Sequence, residues 1–199
     1  MSIGISLGWN TYSTEYAVKK GLRTTKLNGY NTCVFDLMVS NYPGIIQCFE
    51  DDFKYFLDLN YIQIKNFGEN YIYNTKYNFW FNHESPGHAN LYIRENWKNG
   101  INHFTMNNYE KFIERYNRRI HNFRTYLHSG NHINFILNRH NTTNIEDIHL
   151  LNNTIIKKYP LLKFNFTFIS QNNVECIYNH LKLMNFNDTD DEIKRLNNK

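Results

Sequence analysis

The sequence is poor in the residues that cross-link or break small folds. It has three cysteines, three prolines and nine glycines among 199 residues. Cys33, Cys48 and Cys176 lack metal-ligand spacing, and their odd number argues against a disulfide framework, so we expect a reducing compartment. No apolar run reaches the ~18 residues of a membrane span, and the N-terminal residues lack the pattern of a signal peptide. We therefore expect a cytoplasmic or virion protein that is not secreted and has no membrane partner.

Strong charge is also missing. The formal net charge is only +4, from 22 basic and 18 acidic residues, which permits weak attraction to anions but makes nucleic acid an unexpected partner. The hydrophobic fraction is a modest 41%, whereas aromatic residues reach 17%, so we expect a core built on rings. Asparagine is about one residue in six. This enrichment is typical of an AT-rich genome, which large DNA viruses, some protists and some bacteria share.

Hydrophobic periodicity predicts strands that alternate with helices. Apolar runs indicate strands at 3–7, 132–137 and 162–170, and helical spacing indicates helices at 12–20, 42–59, 109–127, 145–159 and 174–184. Residues 71–81 alternate rings with polar side chains, which predicts a half-exposed strand or hairpin. The run from 132 to 170 is long enough for a parallel crossover. We predict one α/β domain over 1–185, a three-layer sandwich with a mainly parallel sheet, followed by a polar tail at 186–199.

Several polar residues follow the predicted strands. In a parallel sheet the carboxyl ends of the strands meet at one edge, where ligands bind. Residues 8–11, Asp36 and residues 138–141 should therefore face a common rim. A single glycine at position 8 before a helix is a weak phosphate signal beside a full glycine-rich loop. No cofactor motif is present.

Short motifs along most of the chain carry a likeness to a known family. They are Ser-Leu-Gly-Trp-Asn-Thr at 6–11, Gly-Leu-Arg at 21–23, Val-Phe-Asp-Leu at 34–37, Asp-Asp-Phe at 51–53, a Tyr-to-His block at 77–83, Arg-Tyr-Asn-Arg-Arg-Ile at 115–120 and the strand at 133–137. In this order they resemble the putative papain-like cysteine peptidase family. That family has cysteine at the position of Thr11.

The resemblance implies a Cys/His site at Thr11, His83 and Asp36, with Gly8, Asn10 and Arg118 as substrate-binding residues. A thiolate is the nucleophile in such chemistry, and threonine carries a far less acidic alcohol. Thr11 is then either a helix cap in a non-catalytic descendant or a nucleophile that needs a strong base beside it. His83 is either the base or a hydrogen-bonded loop histidine. Asp36 either orients an imidazole or caps a turn.

Three further groups of residues each allow a functional and a structural interpretation. Cys33 could replace the missing thiol, although an apolar-flanked cysteine is more often a small buried hydrophobe. His83, Glu84 and His88 lack the spacing of zinc-protease ligands, so we predict no metal. Lys111, Arg115, Arg118 and Arg119 form a basic helix face that either binds phosphate or is solvated.

Three functions remain open from the sequence. The first is a non-catalytic family member that keeps a binding cleft. The second is an active hydrolase or transferase that uses other residues of the same cleft. The third is a structural or interaction protein, a virion component if the genome is viral, that presents the rings of 71–81 to a protein partner.

Overall fold

The computed structural model describes residues 2–8, 10–89, 94–138, 144–169 and 175–179. Its strands are β1 (Ser2–Ser6), β2 (Ile62–Asn66), β3 (Asn70–Asn74), β4 (Phe79–Trp80), β5 (His132–Asn138), β6 (Phe164–Ile169) and β7 (Glu175–Asn179). Its α-helices are α1 (Tyr12–Lys19), α2 (Tyr42–Glu50), α3 (Pro86–Ala89), α4 (Met106–Leu127) and α5 (Ile145–Lys158), with short 3-10 turns at Lys26–Asn28, Asn82–Glu84 and Gly100–Asn102.

The larger sheet has the strand order β1-β5-β6-β7. Strand β5 pairs in parallel with β1 and with β6, and α5 forms the crossover between β5 and β6. Asn144 caps that helix by accepting a hydrogen bond from the Glu146 amide at 3.1 Å, as its type and position predict. The predicted mainly parallel α/β sandwich is therefore confirmed.

The two faces of this sheet are covered by different helices. On one face, Ile136 and Ile169 pack with Tyr16 and Ala17 of α1. The same face carries a polar ladder in which the side-chain oxygen of Asn134 accepts hydrogen bonds from two residues of β6. The opposite face joins the main core, which includes rings of the two central strands and apolar residues of α2, α4 and α5. Helices thus lie on both sides, as a three-layer sandwich requires.

Helix α4 is the longest element and carries the predicted apolar stripe. Asn107, Asn108 and Tyr109 have left-handed φ values of 51°, 53° and 63°, so the regular right-handed helix begins after Tyr109. Its stripe is buried at Phe112, Tyr116, Ile120, Phe123 and Leu127.

Two helix predictions were wrong. The helix expected over 42–59 ends at Glu50, because Asp52 and Phe53 take positive φ values of 53° and 64° that no right-handed helix continues through. The helix expected over 174–184 is strand β7 where the structure describes it, antiparallel to β6. That segment contains isoleucine and tyrosine, which favour strands, and it completes hydrogen bonds that β6 would otherwise leave open.

The smaller sheet is antiparallel, with the order β2-β3-β4, and confirms a hairpin within 71–81. Its rings do not form the exposed surface that the alternation suggested. Tyr77, Phe79 and Phe81 are buried, because the segment packs its rings against Phe56 and α4. None of the described helices combines the length and hydrophobicity needed to cross a bilayer.

Candidate functional site

The turn that follows β1 holds three of the residues that the sequence singled out. We call it the 8–11 turn; it consists of Gly8, Asn10 and Thr11, and Trp9 lies outside the described residues. Gly8 has a φ of 87°, and a Cβ there would collide with the Ser40 Oγ, so only glycine fits. The Gly8 amide donates to the Ser6 Oγ at 3.0 Å, and its carbonyl accepts from the Ser13 Oγ at 3.2 Å. Both backbone groups of Gly8 are therefore occupied within the protein.

Thr11 occupies the N-cap position of α1, but its side chain makes no capping hydrogen bond. Asn10 does this instead, because its Oδ1 accepts from the Tyr12 amide at 3.0 Å. The same oxygen accepts from the Asn138 Nδ2 at 3.1 Å, which ties the turn to the end of β5. The rim predicted between residues 8–11 and Asn138 thus exists, while residues 139–141 lie outside the described part of the chain.

Asp36 is fully buried and sits in a dense hydrogen-bond network. Its Oδ1 is 2.7 Å from the Arg23 Nη1, and its Oδ2 accepts from the Tyr30 hydroxyl at 3.0 Å and from the Cys33 amide at 2.7 Å. The bond to the Cys33 amide caps the turn at 33–36. Burial, and then the negative charge of Asp36, raise the pKa of the Cys33 thiol well above its ordinary value. The Cys33 thiol therefore stays protonated and inert.

Glu84 is a second buried acid, which the sequence did not single out for this role. Its carboxylate lies 2.9 Å from the Arg115 Nη1, 3.1 Å from the Arg119 Nη1 and 3.0 Å from the Tyr116 hydroxyl. Burial would lower the pKa of Arg119, but Glu84, Tyr116 and Asp36 together more than offset this, so the guanidinium stays charged. Arg119 is 5% exposed, which corrects the prediction that it lies on a solvated helix face.

His83 and His88 belong to no common metal-binding group among the described residues. The His88 Nδ1 is 3.1 Å from a Glu69 carboxylate oxygen and 3.1 Å from the Tyr71 hydroxyl. Burial lowers the pKa of His83, and Glu84 partly opposes this shift, so the His83 imidazole is neutral at pH 7. Among the described residues, no group of three or more His, Cys, Asp or Glu side chains could hold a metal ion.

A cavity of about 750 Å³ opens beside the N-terminal half of α4. We call it the basic cavity, and six residues that line it define it: Lys26, His83, Arg94, Arg115, Arg118 and Arg119. Tyr30 and Trp97 also line it. Its volume is that of a small-molecule site.

Three segments are fixed against α4 to form this cavity. The Tyr30 ring stacks on Tyr126 at a centroid distance of 5.4 Å, and the Asn31 amide donates to the Tyr126 hydroxyl. These contacts place the Lys26–Asn28 turn beside the helix. On the other side, the Arg115 guanidinium lies 4.1 Å from the Phe104 ring centroid, and Phe104 packs on Trp97. Glu84 joins the third segment to the helix through its ion pairs.

The structure separates the predicted site residues into two groups. His83 and Arg118 line the basic cavity. The described residues that line it do not include Gly8, Asn10, Thr11 or Asp36. Asp36 lies between the groups: the Thr14 Oγ1 of α1 donates to its carbonyl at 2.6 Å, and Tyr30 connects it to the cavity. Lys26 and Arg94 were missed, because isolated basic residues in loops carry no signal in the sequence.

Comparison with known proteins yields one match. The family model described as "Putative papain-like cysteine peptidase" matches residues 4–173, which is most of the chain. The protein belongs to this family. Comparisons with curated proteins and with solved structures find no match.

The family match spans both groups of site residues. The 8–11 turn, Asp36, His83 and the arginines of α4 all fall within residues 4–173. The basic cavity is therefore built by the part of the chain that this member shares with its family.

Proposed function

We propose that this family member is non-catalytic and binds a small anionic ligand in the basic cavity. The observation that carries the proposal is the convergence of five cations. Burial lowers the pKa of Lys26, and the positive charges of Arg94, Arg118, Arg115 and Arg119, in that order, lower it further. Such a field from separate segments favours a bound anion.

The surroundings of Thr11 support the loss of hydrolysis. Thr11 stands where the resemblance implies the family's cysteine, and an alcohol cannot supply a thiolate. The Gly8 amide is bonded to the Ser6 Oγ, so it is not free to stabilise an oxyanion. Arg23, Tyr30 and the Cys33 amide occupy the carboxylate of Asp36, which leaves it unsuited to orienting an imidazole.

One observation favours a second candidate, a hydrolase or transferase that uses other residues of the same cleft. Burial lowers the pKa of His83, so at neutral pH its imidazole is in the form that accepts a proton. A nucleophile would then have to come from the ligand or from water. The hypothesis of a structural or interaction protein loses most of its support, because four of the rings of 71–81 that motivated a partner surface are buried: Tyr73, Tyr77, Phe79 and Phe81.

The test of lost catalysis is the Thr11→Cys variant in a Cys176→Ser background. We expect the wild type to show no thiol-dependent hydrolysis of peptides or esters. We expect the introduced thiol to titrate near the unperturbed value of about 8.5 in iodoacetamide labelling across pH 5 to 10, in steps of roughly one unit. Cys33 and Cys48 serve as internal controls, because burial raises the pKa of both thiols and keeps them unlabelled until the protein unfolds.

A different outcome would overturn the non-catalytic proposal. If the thiol introduced by Thr11→Cys reacted fast at about pH 6, and peptide hydrolysis appeared with it, the activating groups of a cysteine peptidase would be intact. Hydrolysis by the wild type that disappears in His83→Gln would instead favour the second candidate.

A further inference from the structure

Within the part of the chain that the structure describes, positive charge is concentrated at the basic cavity. Seven basic and two acidic residues line it, and Glu84, which pairs with two of its arginines, adds a third acid. Seven cations against three acids leave a surplus of four positive charges at the cavity.

This surplus is not neutralised by the neighbouring acids. Arg115 and Arg119 pair with Glu84, and Lys111 pairs with Glu114. The other four basic residues of the cavity form no ion pair within the described part of the chain; they are Lys26, Arg94, Lys98 and Arg118. Four such cations around one cavity repel each other, and an anion would relieve that repulsion.

The size of the surplus indicates how much charge the ligand carries. A carboxylate would neutralise one cation, whereas each phosphoryl group brings about −1.5 to −2 charges at neutral pH. A ligand with two phosphoryl groups therefore offsets most of a surplus of four, whereas one with a single group does not. Arginine also suits phosphate geometrically, because its planar fork donates two parallel hydrogen bonds to it. Arg94 and Arg118 supply two such forks that no described carboxylate occupies.

We propose that the basic cavity binds a small molecule with at least two phosphoryl groups, in the manner of a diphosphate. This proposal rests on the anion-binding function proposed above and specifies its ligand class. Arg94, Arg118 and Lys26 contact the phosphoryl oxygens. Glu84 holds Arg115 and Arg119 in place beneath them. The ring of Trp97 and its stacked neighbour His103 offer an apolar wall to the remainder of the ligand.

Isothermal titration calorimetry with inorganic pyrophosphate tests the proposal, with orthophosphate and citrate as comparison anions. We expect pyrophosphate to bind at least about tenfold more tightly than either, because its two linked phosphoryl groups reach the forks of Arg94 and Arg118 together, whereas orthophosphate has one such group and each citrate carboxylate carries a single charge. Its affinity should fall as sodium chloride rises, because salt screens exposed charges.

The Arg118→Ala variant locates the binding, and Arg124→Ala is its matched control. Both arginines are on α4, but Arg124 pairs with Asp52 and does not line the cavity. Arg118→Ala should weaken pyrophosphate binding about tenfold or more, since one charge-assisted hydrogen-bond pair is lost, while Arg124→Ala should change it less than about twofold. Arg118 is exposed and pairs with no described acid, so its removal should leave the melting temperature unchanged.

The outcomes separate this proposal from the one it rests on. If citrate binds as tightly as pyrophosphate and with the same dependence on Arg118, the diphosphate class is wrong and anion binding stands. If none of the three anions binds, both proposals fall. Equal losses in Arg118→Ala and Arg124→Ala would show that binding is a diffuse surface effect and would overturn the site. Tighter binding of a single-stranded oligonucleotide that pyrophosphate cannot displace would overturn the small-molecule ligand.

Discussion

At the scale of single residues, the buried acid Asp36 serves the fold. Asp36 and Arg23 form a pair whose side chains are 0% and 3% exposed. Two charges in such an environment stabilise the fold only while both are present, because either one alone would be left desolvated. We interpret Asp36 as the anchor of the turn at 33–36, which in turn places Tyr30 against the basic cavity.

The Asp36→Asn substitution tests this interpretation. It keeps the size of the side chain but leaves Arg23 as a buried charge without a partner, so it should cost about 3–5 kcal/mol of unfolding free energy. The matched control is Asp52→Asn, whose partner Arg124 is 41% exposed; it should cost less than about 1 kcal/mol. Urea denaturation measures both. Similar costs for the two variants would contradict a structural role for Asp36.

The sequence singled out some of the residues that line the basic cavity, such as His83 and Arg118, and missed others for physical reasons. The requirement for glycine at position 8 was foreseeable from a strand that gives way to a helix. Arg119 was misplaced, although it lies three residues after Tyr116 and four before Phe123 and so shares their stripe. Its burial depends on Glu84, which is 35 positions away in the chain. An ion pair between distant segments leaves no periodic signal, so the sequence could not predict it.

At the scale of elements, α4 is the support on which the cavity is assembled. Phe123 contacts the rings of Phe35, Phe49 and Phe53, and Phe112 contacts Phe81. The buried stripe thus fixes the helix in the core, while four basic residues of its N-terminal half line the cavity: Lys111, Arg115, Arg118 and Arg119. Packing and the proposed binding therefore share one helix, and Arg119 takes part in both.

Phe123→Ala measures how strongly this helix is held. Phe123 is fully buried, so removing its ring leaves a cavity among three phenylalanines and should cost about 3–5 kcal/mol. The control is Leu161→Ala, a large apolar side chain that is 94% exposed, and it should change stability by less than about 0.5 kcal/mol. Denaturant melts compare the two. A cost below about 1 kcal/mol for Phe123→Ala would mean that the stripe is not part of the core.

Elements with a long, clean period were predictable, whereas their ends and the edge strand were not. Helices α4 and α5 and the strands of the parallel sheet follow their hydrophobic spacing. Helix α2 stops early because Asp52 and Phe53 adopt a left-handed turn, which apolar spacing cannot reveal. The sequence predicted a helix where strand β7 lies, because a short amphipathic segment fits both the helical and the strand period. Only its position beside β6 decides between the two structures.

At the scale of the whole molecule, a modest net charge of +4 hides a strong local asymmetry. The sequence total suggested only weak attraction to anions. Folding gathers the surplus from residues 26, 94, 98, 111 and 115–119 into one concavity. Charge that is dilute along the chain becomes concentrated in space, and this is why composition alone could not predict the proposed anion site.

The most direct test is a crystal structure of the protein with pyrophosphate at a concentration that just saturates binding in solution. We expect the anion in the basic cavity, with its oxygens within hydrogen-bond distance of Arg118, Arg94 and Lys26 and with the Glu84 ion pairs intact. A pyrophosphate seated at the 8–11 turn, or a basic cavity without anion at saturation, would contradict the claim that the cavity is the functional centre of this family member.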